Sequence, residues 1–103
     1  MEKQRIERLL NGRWNVVIAK NQVPALENIL ITYNFQDSKE KCNSSHNHLI
    51  ASCDGETRAY QVVEDSRKYF IRTDAFSKEI VAIGENDMLW KIEGTYYVLN
   101  RIQ

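Results

Sequence analysis

The sequence predicts an all-β fold, an eight-stranded antiparallel up-and-down barrel with one short N-terminal helix. Three observations carry this. After Gly12 the apolar residues alternate with period two. Turn signals recur at a spacing of about ten residues, as in sandwiches and barrels. No segment between strands is long enough for a helical crossover, so neighbours pair antiparallel.

The first ten residues read as the helix. Ile6, Leu9 and Leu10 make one apolar stripe at i, i+3, i+4 spacing, and Glu2, Lys3, Arg5, Glu7 and Arg8 cover the rest. Asn11-Gly12 supplies the stop. A helix this short is unstable alone, so it must pack on the barrel, with Leu9 and Leu10 covering one end. The predicted strands are Trp14–Lys20, Ile29–Gln36, His48–Cys53, Thr57–Glu64, Tyr69–Thr73, Glu79–Ile83, Met88–Glu93 and Thr95–Ile102. Pro24 falls in the first connection, where a missing backbone donor does no harm. Asp54-Gly55, Gly84–Asp87 and Glu93-Gly94 mark tight turns.

A meander leaves two unpaired edges unless its first strand pairs with its last, and eight strands close into a barrel just wide enough to fill with side chains. Ile29, Ile31, Tyr33 and Phe35 share one face, as do Met88, Trp90 and Ile92, and Val81 and Ile83. If those faces point inward, Leu30, Leu89, Tyr96 and Val98 point out. Alternate connections of such a barrel emerge at one end. Those around Pro24, Asp54-Gly55, Thr73–Ser77 and Glu93-Gly94 therefore rim one mouth.

The 103 residues make one domain, 1–103, with 14 Lys and Arg against 14 Asp and Glu. A neutral balance argues against nucleic acid, because phosphate binding needs a cationic excess or a basic stripe. Arg58, Arg67, Lys68 and Arg72 interleave with Glu56, Glu64 and Asp65 and read as a solvated sheet surface. No apolar run approaches a membrane span of about 20 residues. The charged N-terminus is no signal peptide, so the chain as written is expected to be cytoplasmic, or secreted if a leader was removed.

The chemistry-bearing candidates are few. Cys42, His46, His48 and Cys53 could furnish a Cys2His2 zinc site, but Cys53 would sit on the opposite strand parity from His48, roughly 17 Å away. A polar loop with two surface histidines is the alternative, and a Cys42–Cys53 disulfide a third reading. The disulfide needs an oxidising compartment, so two free thiols and no metal are expected. Ser44 and Ser45 near His46 and Asp54 make no triad, and there is no glycine-rich phosphate loop. No enzyme and no cofactor are expected.

Gly12-Arg13-Trp14 has the Gly-x-Trp form that opens the first strand of lipocalins after a short helical turn, and Arg101 lies on the last strand, where lipocalins place an arginine over that tryptophan. The chain thus resembles a small lipocalin-like barrel over nearly its whole length. The resemblance implies that Trp14 and Arg101 close one end and that the other takes a small hydrophobic ligand. Tyr33, Phe35, Tyr60, Trp90 and Tyr97 are then the expected lining, apolar with a few polar handles. A weaker resemblance is to staphostatins, small barrels that inhibit cysteine proteases, through the Gly-x-Trp and the Gly94-Thr95 pair before the last strand. It implies a protein-binding module instead, an inhibitor or a toxin-immunity partner.

Overall fold

The computed structural model describes residues 2–19, 29–44 and 50–102. Its elements are α1 (Glu2–Leu10), β1 (Gly12–Ala19), β2 (Leu30–Asn34), β3 (Lys39–Asn43), β4 (Thr57–Ala59), β5 (Gln61–Asp65), β6 (Lys68–Arg72), β7 (Ser77–Ile83), β8 (Asp87–Ile92) and β9 (Thr95–Ile102). The strands form one antiparallel sheet in the order β4-β3-β2-β1-β9-β8-β7-β6-β5. β1 pairs with β9, as closure requires, with Trp14 opposite Arg101. The result is a nearly closed all-β barrel of nine strands rather than eight.

The extra strand has a local cause. The predicted strand Thr57–Glu64 divides at Tyr60, its first part pairing with β3 and its second with β6. Tyr60 is buried at the break, and its amide donates to Ser38 O at 3.0 Å. The free edges therefore lie at this seam, between β4 and β5.

Three other regions depart from expectation. Of the predicted strand His48–Cys53, the described part is not a strand: Ile50–Cys53 turns instead, with Cys53 N donating to Ile50 O at 3.0 Å. His46 and His48 lie outside the described residues, as does Pro24. The third strand is β3, whose sequence KEKCN reads as polar but buries Glu40 and Cys42. Because the chain doubles back after β3, Cys53 returns to Cys42 with 4.4 Å between Cα atoms, and the two form a disulfide. That overturns the expectation of free thiols and leaves neither sulfur for a metal. Asp54-Gly55 then belongs to the longer β3–β4 connection, where Gly55 N donates to Cys42 O at 2.9 Å.

The second correction is Phe35, which lies beyond β2 in the β2–β3 turn and is 48% exposed. Its amide donates to Asn11 Oδ1 at 2.9 Å, while its ring faces solvent. The third is Val81, which is exposed rather than inward. β7 shifts register between Ile80 and Ala82, so an irregularity at Val81 reverses the parity. Lys78 and Ile80 point inward before it, and Ile83 packs on the core after it.

Elsewhere the alternation holds. Trp14, Val16, Ile29, Ile31, Tyr33, Met88, Trp90 and Leu99 are buried in one core, which Ile6 and Leu10 of α1 join from the helix end. The guanidinium of Arg101 lies over Trp14, and the Trp14 Nε1 donates to Leu10 O at 2.9 Å. Arg101 also donates to Leu9 O and Asn11 O, so carbonyls left over at the helix C-terminus find donors. No described helix is long and apolar enough to cross a membrane.

Candidate functional site

Glu40 and Lys78 meet across the barrel interior. In the sheet β3 and β7 are separated by β2, β1, β9 and β8, so their contact cannot be a cross-strand pair. Lys78 Nζ donates to Glu40 Oε2 at 2.9 Å, and both side chains are 2% exposed. Burying two charges costs several kcal/mol per ion by order of magnitude, and only good geometry and further hydrogen bonds offset it. Burial pulls the Lys78 pKa below its ordinary value, against the opposing attraction of Glu40. The ammonium also lies 5.0 Å from the centroid of the Trp90 ring, a second favourable contact for the charge.

Around this pair the interior is polar where the rest of the core is apolar. Tyr33 is the cross-strand partner of Glu40, and its ring meets that of Tyr60 edge-on at 5.2 Å. Burial holds the Tyr33 hydroxyl well above the usual phenol range, with the Glu40 charge adding to it. Burial likewise pushes Tyr60 up to about 12, with Glu7 and Glu40 contributing. Four buried atoms have no hydrogen-bond partner among the described residues: Tyr33 Oη, Glu40 Oε1, Tyr60 Oη and Trp90 Nε1. Buried polar groups are normally paired, so these four atoms around one ion pair set this part of the interior apart from the apolar core.

Lys78 and Tyr97 connect this cluster to the barrel mouth. There a cavity of about 500 Å3 opens among Ile50, Ser52, Phe76, Lys78, Ile92 and Tyr97. Its walls come from the β3–β4, β6–β7 and β8–β9 connections, three of the four predicted to share one end. Arg58 braces two of them. It grips Asp54 through both nitrogens at 3.0 and 2.6 Å, donates to Ser52 O at 3.3 Å, and lies 4.9 Å from the Phe76 ring centroid. The third is a tight turn at Glu93-Gly94, with φ of 49° and 82°, between the paired Ile92 and Thr95.

A wider groove of about 1100 Å3 follows the seam past Thr57, Tyr60, Gln61 and Arg72. Its two arginines are paired locally, Arg58 with Asp54 and Arg72 with Asp65, while Glu56 and Asp74 also line it, and it lies open along the surface. What distinguishes the mouth from it is Lys78, a buried cation that lines the mouth and not this groove.

Of the five predicted lining residues, Tyr97 lines the mouth, Tyr60 lines the seam, and Tyr33 and Trp90 stand in the interior between them. Phe35 is at the other end, outside. The sequence alone does not single out Glu40 and Lys78: one lies between two predicted strands, the other just before one. The charge pattern offered no signal, because their pairing spans 38 residues.

No protein family, curated protein or solved structure matches the chain. Fold and site together define a small β-barrel, closed at one end by Trp14 and Arg101, with a buried ion pair at the floor of the other.

Proposed function

We propose that the chain is a non-enzymatic binding protein, a reduced lipocalin-like barrel that takes a small, largely apolar molecule at its open end. The observation that carries this is the mouth cavity of about 500 Å3, which sets the apolar side chains of Ile50, Phe76 and Ile92 beside polar ones, the buried Lys78 among them. Small-molecule sites combine those two features, at volumes of roughly 300–1,000 Å3. The lipocalin likeness is supported by Gly12-x-Trp14, the helix before it, and Arg101 over the indole. Capture of a protease by the Gly94-Thr95 segment is less well supported, because Glu93-Gly94 is a two-residue turn with no extended stretch to offer.

Tryptophan fluorescence during titration with fatty acids, retinoids and aromatic compounds tests the reading. A saturable change is expected, since Trp90 lies beside Lys78 and pairs across strands with Tyr97. No change at high micromolar concentration, with a stoichiometric protein partner recovered by pull-down, would replace the carrier by an interaction module.

A further inference from the structure

We infer that the molecule taken at the mouth carries an uncharged hydroxyl head group, received by the Lys78–Glu40 pair. The inference rests on the binding reading above and specifies its ligand.

Lys78 lines the mouth cavity although its side chain is 2% exposed. An ammonium has three donors, and the contact with Glu40 Oε2 uses one. The other oxygen of the carboxylate, Glu40 Oε1, is buried without a partner among the described residues. Lys78 thus holds spare donors at the cavity lining, and the spare acceptor lies directly behind it on Glu40, which is not itself a lining residue. A hydroxyl satisfies both, accepting from Lys78 and donating to Glu40. Trp90 Nε1 and the Tyr33 hydroxyl, both buried and unpartnered, stand around the same pair.

Charge balance excludes the ionic alternatives. Lys78 and Glu40 already neutralise each other at 2.9 Å, and the other charged residue of the lining, Glu93, is exposed rather than beside the buried pair. A ligand carboxylate would place a second negative charge beside Glu40 in a site of low dielectric. A ligand ammonium would do the same to Lys78. Either would be desolvated without a net opposite charge to receive it. The apolar body would lie on Ile50, Phe76 and Ile92.

The test compares four compounds that share one body: phenylbutanol, phenylbutyrate, phenylbutylamine and butylbenzene. Their affinities for the full chain are measured calorimetrically at neutral pH. The alcohol should bind about tenfold or more tighter than each of the others, a margin well within one or two hydrogen bonds to charged groups. In the double variant Glu40→Leu/Lys78→Met, which removes both charges together, the alcohol should lose its advantage over butylbenzene. The wild-type comparison stands even if that variant fails to fold. Phenylbutyrate, phenylbutylamine or butylbenzene binding as tightly as the alcohol would overturn the head-group assignment and leave the binding reading in place. So would a folded double variant that keeps the preference. Failure of all four to bind would overturn both.

Discussion

The Arg101 guanidinium stacks on Trp14 with its central carbon 4.2 Å from the ring centroid, while its nitrogens donate to Leu9 O, Asn11 O and Glu85 O. One side chain on the last strand therefore joins the first strand, the end of α1 and the β7–β8 turn. Gly12 makes room for it. Its φ is +121°, and a Cβ there would stand 2.7 Å from Arg101 Nη1.

Removing the indole should open the closed end. Trp14→Ala is expected to cost about 3–5 kcal/mol, as truncation of a large buried aromatic does. Arg101→Ala should cost less, since stacking on the ring is worth about 0.5–2 kcal/mol and hydrogen bonds to a charged group add to it. Arg101→Lys should not restore the loss, because an ammonium cannot make a planar stack and a fork of donors at once. Denaturant unfolding checks all three, and a Trp14→Ala midpoint equal to wild type would contradict the closure.

What was legible in the sequence follows from which faces are apolar. Ile29, Ile31 and Tyr33, or Met88 and Trp90, alternate cleanly, and their inward face could be read directly. β3 could not be, because its inward residues are Glu40 and Cys42. The parity of β7 does not follow from its residue types, because an irregularity at Val81 has no distinct signature among them. The Glu40–Lys78 contact was out of reach for a different reason. It depends on which strands face each other across the closed barrel, a property of the whole topology and not of any local pattern.

The disulfide between Cys42 and Cys53 ties the mouth loop to β3. The unreduced, denatured protein should show no titratable thiol. Cys42→Ser/Cys53→Ser should lose about 3 kcal/mol by the chain-entropy argument for a loop of this length. Because Ile50 and Ser52 line the mouth, ligand affinity should fall along with stability. Two reactive thiols in the unreduced protein would contradict the pairing.

Asp54 should titrate abnormally. Hydrogen bonds from Arg58 first, and from the Glu56 amide second, lower its pKa from 3.8 to about 2. Since the folded value is the lower one, the stabilising contribution is present above pH 3.8 and is lost as pH falls through about 2. Carboxyl chemical shifts followed by NMR should show that midpoint. Arg58→Ala should return it towards 3.8, and an unchanged midpoint in the variant would show that Arg58 is not the cause.

The Glu40–Lys78 pair should behave as a unit. Lys78→Met alone leaves a carboxylate buried with no cation, and Glu40→Leu alone leaves an ammonium buried with no anion. Each is expected to cost about 3–5 kcal/mol, the loss typical of breaking a buried pair. The double variant removes both desolvation penalties and puts apolar side chains of similar volume into the core. It should recover most of the loss, to within about 1–2 kcal/mol of wild type or better, because such replacements are often neutral or stabilising. A double-mutant cycle from denaturant unfolding measures the difference, and the coupling should exceed about 2 kcal/mol. Near-wild-type stability in the double variant, combined with lost selectivity for an uncharged hydroxyl ligand, would separate binding from folding at this pair. Additive single effects, each below about 1 kcal/mol, would instead mean that water reaches both groups and that the floor of the mouth is not desolvated.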